Sequence, residues 1–157
     1  MTELNFFKAA AQVGALETLD VEGMELLMRV EFSGEDFYFA LADRIGNDEA
    51  ADLLRKNGRE ETGHARRLER AIALKQGREY ERTEEAHPRF SIPLPDTIDA
   101  SLFPAIVQAE LEGDAGYQRW ADREPNADVA KLLRQNGREE TVHGERVRRV
   151  AEILNAS

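Results

Sequence analysis

The apolar residues of this chain recur at helical intervals, and no strand-like alternation of any length interrupts them. Around Glu31, the residues Met24, Leu27, Met28, Tyr38 and Leu41 or Ala42 fall on one stripe of a helix. The stripe through Glu61 holds Leu54, Ala65 and Leu68; that through Glu110 holds Phe103, Val107 and Tyr117; that through Glu140 holds Leu133, Val147 and Leu154. Four amphipathic helices follow, arranged as two helix–turn–helix units. Asp20 is a good N-cap for the first helix, which stops near Gly46, and Asn47 or Asp48 caps the second. Pro125 breaks the chain at the equivalent place in the second unit. Between the units, Gly77 to Pro95 contains His87-Pro88 and Ile92-Pro93-Leu94-Pro95, which exclude a continuous helix. About twenty extended residues at roughly 3.3 Å each span the length of a helix, which favours a crossover connection. Residues 3–16, with Phe6, Phe7, Ala9 to Ala11 and Val13, predict a short apolar helix or arm packed on the bundle or on a neighbour.

The two units are also one sequence written twice. Residues 57–64 read NGREETGH and residues 136–143 read NGREETVH, an offset of 79 that also pairs Glu31 with Glu110, Gly34 with Gly113 and Tyr38 with Tyr117. The reading is an all-α, four-helix bundle over 1–157, a single domain made of hairpin 1 (about 20–76), a Pro-containing connection (77–98) and hairpin 2 (about 99–155).

Composition narrows the chemistry. A net charge of −10 argues against nucleic acid and against an anionic membrane surface, and favours metal cations as partners. There is no membrane-length apolar run and no secretory pattern at Met1, so the expected location is cytoplasmic. The absence of cysteine excludes disulfides, thiolate metal sites and iron–sulfur clusters, leaving carboxylate and imidazole as ligands.

Four inward carboxylates on apolar stripes would each cost several kcal/mol, so something must neutralise them. Their heights agree as well. Residues 31 and 61 are equidistant from Gly46, and 110 and 140 from Pro125, so each glutamate lies level with the Glu-x-x-His of its own hairpin. At i, i+3 Glu61 points the same way as His64, and Glu140 the same way as His143. Stacking the hairpins assembles Glu31, Glu61, His64, Glu110, Glu140 and His143 in one cavity, and four carboxylates balance two divalent ions. Oxygen-rich ligation with one imidazole per metal suits iron, or manganese, better than zinc.

This constellation resembles the di-iron carboxylate site of the ferritin-like superfamily, with rubrerythrin's bundle and bacterioferritin as the nearest comparisons, over about residues 20–155. The NGREET-x-His segment also resembles the second helix of encapsulated ferritins, although here both halves lie in one chain. Tyr38 and Tyr117 face the site at core spacing, as a tyrosine does in ferritins, and are the candidate catalytic residues. Rubrerythrins carry an extra glutamate three residues after the helix ligand; here that position is Gly34 or Gly113, a departure from their peroxide chemistry. Glu35 and Asp114, one turn along, are candidates for a cation entrance or a switchable ligand. Gly34, Gly58, Gly113 and Gly137 each cost roughly 1 kcal/mol inside a helix, and imply close helix contact or room for metal and oxygen. Glu60 and Glu139 turn about 100° away from the site, to the surface or behind the ligands. Arg59 and Arg138 read as surface, Trp120 as core and His87 as a loop histidine.

The resemblance implies an enzyme that oxidises Fe(II) with dioxygen or peroxide, a ferroxidase in iron handling. Two alternatives stand beside it: a peroxide reductase fed by an outside electron donor, and a non-catalytic iron-binding protein. No assembly surface is readable, which leaves a homo-oligomer or a cage open.

Overall fold

Asp20 and Asn47 start the first hairpin, each accepting a hydrogen bond from a backbone N–H of the first turn, Gly23 and Ala50 respectively. In the computed structural model, which describes residues 3–156, helix α1 spans Phe6–Gly14, α2 Val21–Arg44, α3 Asp48–Gln76, α4 Phe103–Arg123 and α5 Ala127–Ala156. Met1, Thr2 and Ser157, the ends of the expected domain, lie outside the described residues. Gly46 between α2 and α3 has a φ of 66°, a left-handed turn that glycine makes without penalty. Gly77 ends α3 in the same way, at a φ of 70°. Asn126 caps α5 through Val129 N–H.

Hydrogen bonds fix how the hairpins stack. Asn57 donates to the His143 carbonyl and Asn136 to the His64 carbonyl, each at 3.1 Å, while Arg146 reaches Asn57 and Arg67 reaches Asn136. Advancing along α3 therefore means retreating along α5: the two are antiparallel. Since α4 is antiparallel to α5, it runs in the same direction as α3, and the chain between them must return the length of the bundle.

That return lies on α2. Arg29 binds the Pro88 carbonyl, Ser33 Oγ accepts from Phe90 N–H and Arg44 binds the Pro95 carbonyl. Fifteen helical residues at about 1.5 Å match seven extended ones at about 3.3 Å, so the strap keeps step with the helix beneath it. His87 does more in this strap than fill a loop. Its Nε2 lies 2.7 Å from Glu25, and Tyr80 bonds to both. The α1 arm is pinned to the strap by Phe6 N–H on the Ser91 carbonyl, and it stacks Phe6 on Phe37.

The core is two apolar clusters. One contains Met24, Met28, Leu68, Ile72 and Trp120; the other contains Leu41, Leu54, Phe103, Val147 and Val150. Glutamate and histidine lie between them along the helices. Ile106 and Ile153 are buried where the sequence pattern favoured Val107 and Leu154, which are half-buried. Positions i+3 and i+4 share a stripe, and packing against the neighbouring helix selects one of them.

Candidate metal centre

Each helix of the bundle brings its carboxylate to the same level. Glu31, Glu61, Glu110 and Glu140 are all buried, and His64 and His143 are fully enclosed. One ligand atom from each of Glu61, His64, Glu140 and His143 lies within 4.8 Å of the others. His64 Nδ1 is 3.0 Å from Glu31 and 2.8 Å from Glu140; His143 Nδ1 is 2.7 Å from Glu61 and 3.9 Å from Glu110. The imidazoles stack with centroids 5.0 Å apart. All six side chains singled out in the sequence are thus brought together. The tightest histidine contacts include the glutamate of the opposite hairpin.

Tyr38 donates to Glu110 at the edge of this layer, whereas Tyr117 accepts from Asn136 at 3.3 Å. Burial first, then the nearby carboxylates, hold both phenols well above their ordinary pKa. Both stay protonated; Tyr38 is the neutral donor of the layer, and Tyr117 the acceptor of the Asn136 amide.

Helix geometry alone places the glutamates next to the cluster only loosely, at the surface or behind the ligands. Glu139 sits 3.2 Å from His64 Nε2 and 2.9 Å from Arg67; Glu60 sits 3.2 Å from His143 Nε2 and 2.7 Å from Arg146. Each imidazole thereby donates its Nε2–H outward and presents Nδ1 inward, the arrangement by which a carboxylate orients a metal-binding histidine. Asn57, Asn136, Arg67 and Arg146 were missed altogether. The 79-residue offset relates each of these pairs, and that was the available signal.

Burial and the charges of Glu61 and Glu31 push Glu140 up to about 8. Glu61 and Glu110 rise for the same reasons. Burial opposes the charge on His64, yet the close carboxylates of Glu139, Glu140 and Glu31 hold its pKa well above the usual value. At His143, burial and the neighbouring His64 charge prevail and lower it. The bond from His64, with Arg67, draws Glu139 down to about 2.

Among the described residues, two buried oxygens of the layer have no hydrogen-bond partner, Glu110 Oε2 and Glu140 Oε1. The latter is close to His64 Nδ1 but poorly aligned with it. Partnerless buried carboxylate oxygens are costly, and cations are their natural complement. The donor set of carboxylates with two inward imidazole nitrogens fits a metal such as iron.

The glycines leave the space this requires. A Cβ on Gly34 would meet Glu61 Oε2 at 2.9 Å, and one on Gly113 would meet Glu140 Oε2 at 2.9 Å. Gly58 and Gly137 are close approaches instead, against Phe39 and against Gln118, Asp114 and Tyr117. Glu35 and Asp114 bond to Thr62 and Thr141 on the partner helix of their own hairpins. Arg59 and Arg138 are exposed, and Trp120 is buried, as expected.

Among the described residues no helix is long and apolar enough to cross a membrane. Comparison with known proteins places residues 24–151 under the family model described as Rubrerythrin. No curated protein and no solved structure matches the chain.

Proposed function

This chain belongs to the rubrerythrin family, and from that premise we propose that Glu31, Glu61, His64, Glu110, Glu140 and His143 hold two iron ions in a single domain, with manganese as the alternative metal. The observation that carries this reading is the buried layer itself: carboxylates from four helices, with two oxygens that make no hydrogen bond among the described residues. The proposed reaction is oxidation of Fe(II) by dioxygen or hydrogen peroxide. When bound, the iron pair supplies two electrons to one oxidant molecule.

The chain's own contribution is positional. Glu139 and Glu60 hold the Nε2 edges of His64 and His143, which aims each Nδ1 into the site where a metal would displace any proton from it. Tyr38 holds Glu110 in place through its phenolic proton. Gly34 and Gly113 leave room for the carboxylates of Glu61 and Glu140 where a larger side chain would collide with them. That space is where a rubrerythrin-like extra glutamate would begin, which supports the ferroxidase reading.

The family match favours a second reading, reduction of peroxide with electrons from an outside donor. One pair of assays separates them. Fe(II) added in air should oxidise faster with the protein than in buffer, followed by Fe(III) absorbance and an oxygen electrode, and His64→Ala or His143→Ala should slow this more than it lowers total iron binding. Peroxide consumption with a reductant, but no acceleration of Fe(II) oxidation, would replace the first reading by the second. Metal binding with neither activity would leave an iron-binding protein.

A further inference from the structure

The carboxylate layer is shut in on most sides. Behind it, the α3/α5 seam covers the two imidazoles with Glu139 and Glu60. On the α2/α3 side Gly58 lies against Phe39 and Thr62 bonds to Glu35. On the α4/α5 side Gly137 lies against Gln118 and Tyr117, and Thr141 bonds to Asp114. The two apolar clusters close the layer along the bundle axis.

The remaining side is different. Helices α2 and α4 make no comparable contact, and the cleft between them reaches Glu31, Glu61, Glu110 and Glu140. Glu31 and Glu61 keep 5% of their surface exposed and Glu110 and Glu140 keep 8%, whereas both histidines keep none. The carboxylates line the cleft and the imidazoles do not, so solvent meets the layer from this side.

Small side chains keep the cleft passable. The α1 arm lies along it, with Phe6 stacked on Phe37 of α2 and the Leu16 carbonyl accepting from Trp120 of α4. Ala10 and Ala11 of the arm and Ala105 and Ala109 of α4 are exposed in its lining, and Gly34 and Gly113 lie deeper, against Glu61 and Glu140. Charge sets what the cleft admits. Its lining carries the four carboxylates of the layer and Glu112 against a single cation, Arg119. A cleft lined by one sign of charge concentrates ions of the other sign.

We propose that the α2/α4 cleft is the passage by which divalent cations enter and leave the layer, held open by the small side chain of Ala109 beside Glu110, a role that rests on the metal site proposed above.

A passage and a ligand differ in kinetics. Narrowing a passage slows entry and exit by the same factor and leaves the dissociation constant unchanged, whereas damage to a ligand weakens binding. Stopped-flow loading of the full chain with Co(II), whose ligand-field absorption reports binding without turnover, and its removal by a chelator would measure both rates. Ala109→Trp should slow entry and removal alike, each about tenfold, with unaltered affinity. Val142→Phe, exposed on α5 outside the cleft, should change neither rate. Glu112→Lys should slow entry about fivefold at low salt and far less at high salt. Unchanged rates in Ala109→Trp, with the metal still bound, would overturn the passage and leave the metal site standing. Equal slowing by Val142→Phe, faster entry in Glu112→Lys, or weaker binding by Ala109→Trp at an unchanged entry rate would overturn it as well. Failure of the unaltered chain to bind Co(II) or, under argon, Fe(II) would overturn the metal site itself, and the passage with it.

Discussion

The interior layer of the bundle and the α3/α5 seam beside it are built from the same residue type one position apart, and they settle into opposite electrostatic states. Glu140 is buried among other carboxylates and is held up to about 8, while Glu139 is bonded to His64 and Arg67 and is drawn down to about 2. Glu61 and Glu60 differ in the same sense on α3. A turn of about 100° along the helix decides which neighbour each carboxylate meets. Within the layer only protons or metal can offset the charge. In the seam Arg67 and Arg146 already do so, and the ionised glutamates are free to hold the histidine protons. Glutamate alone is therefore no sign of a ligand; its arginine supply separates the ligand from its support.

The largest expected break in this contrast is removal of an interior carboxylate. Glu61→Ala or Glu140→Ala should eliminate at least one of the proposed metals by elemental analysis. Equal losses from Glu60→Ala would mean that the interior layer and the seam have been assigned the wrong way round.

Next comes the pH dependence of the metal-free protein. A carboxyl whose pKa is raised on folding adds no penalty below its ordinary value of about 4.5, where both states are protonated. The folded state takes up the proton between there and about 8, and the full cost of the ionised group is present only above that. With Glu61 and Glu110 displaced in the same direction, the interior layer should cost on the order of several kcal/mol of stability between pH 5 and 8.5. Thermal melts should show the metal-free Tm falling across that window, and stabilisation by metal growing across it. A metal-free Tm that rises with pH would contradict burial of the layer.

A smaller effect belongs to the seam. Glu139→Gln keeps the shape but weakens the hold on the His64 proton, and should lower metal affinity about 10- to 100-fold without removing the site. Chelator competition would measure it. The smallest concerns Gly34→Ala: a better helix former by about 1 kcal/mol, its Cβ presses on the flexible end of Glu61. Melting temperature should hold or rise slightly while metal affinity drops. A matching loss of stability would mean that backbone, not the Glu61 carboxylate, is what yields.

Much of this was legible in the sequence because it depends on local rules. Asp20, Asn47, Gly46 and Pro125 bracket the helices, and equal distance from a turn puts Glu31 level with Glu61 and Glu110 level with Glu140. What sequence could not supply depends on how one hairpin meets the other. The antiparallel register of α3 on α5 gives each histidine a carboxylate from the opposite hairpin, and nothing within one helix encodes that. It is the close approach of the helices that turns the Asn57 and Asn136 amides onto the His143 and His64 carbonyls. The gap between α2 and α4, lined by Gly34, Ala109 and Gly113 as well as by Phe6 of the α1 arm, is likewise a property of packing. His87 became more than a loop residue only because the strap lies down on Glu25.

The central claim is that one polypeptide carries a complete two-metal site, and anaerobic Fe(II) titration with the metal counted per chain tests it most directly. Two ions per chain are expected, with the uptake reduced by Glu61→Ala and by Glu140→Ala. No binding under argon, or one ion shared between two chains, would contradict it.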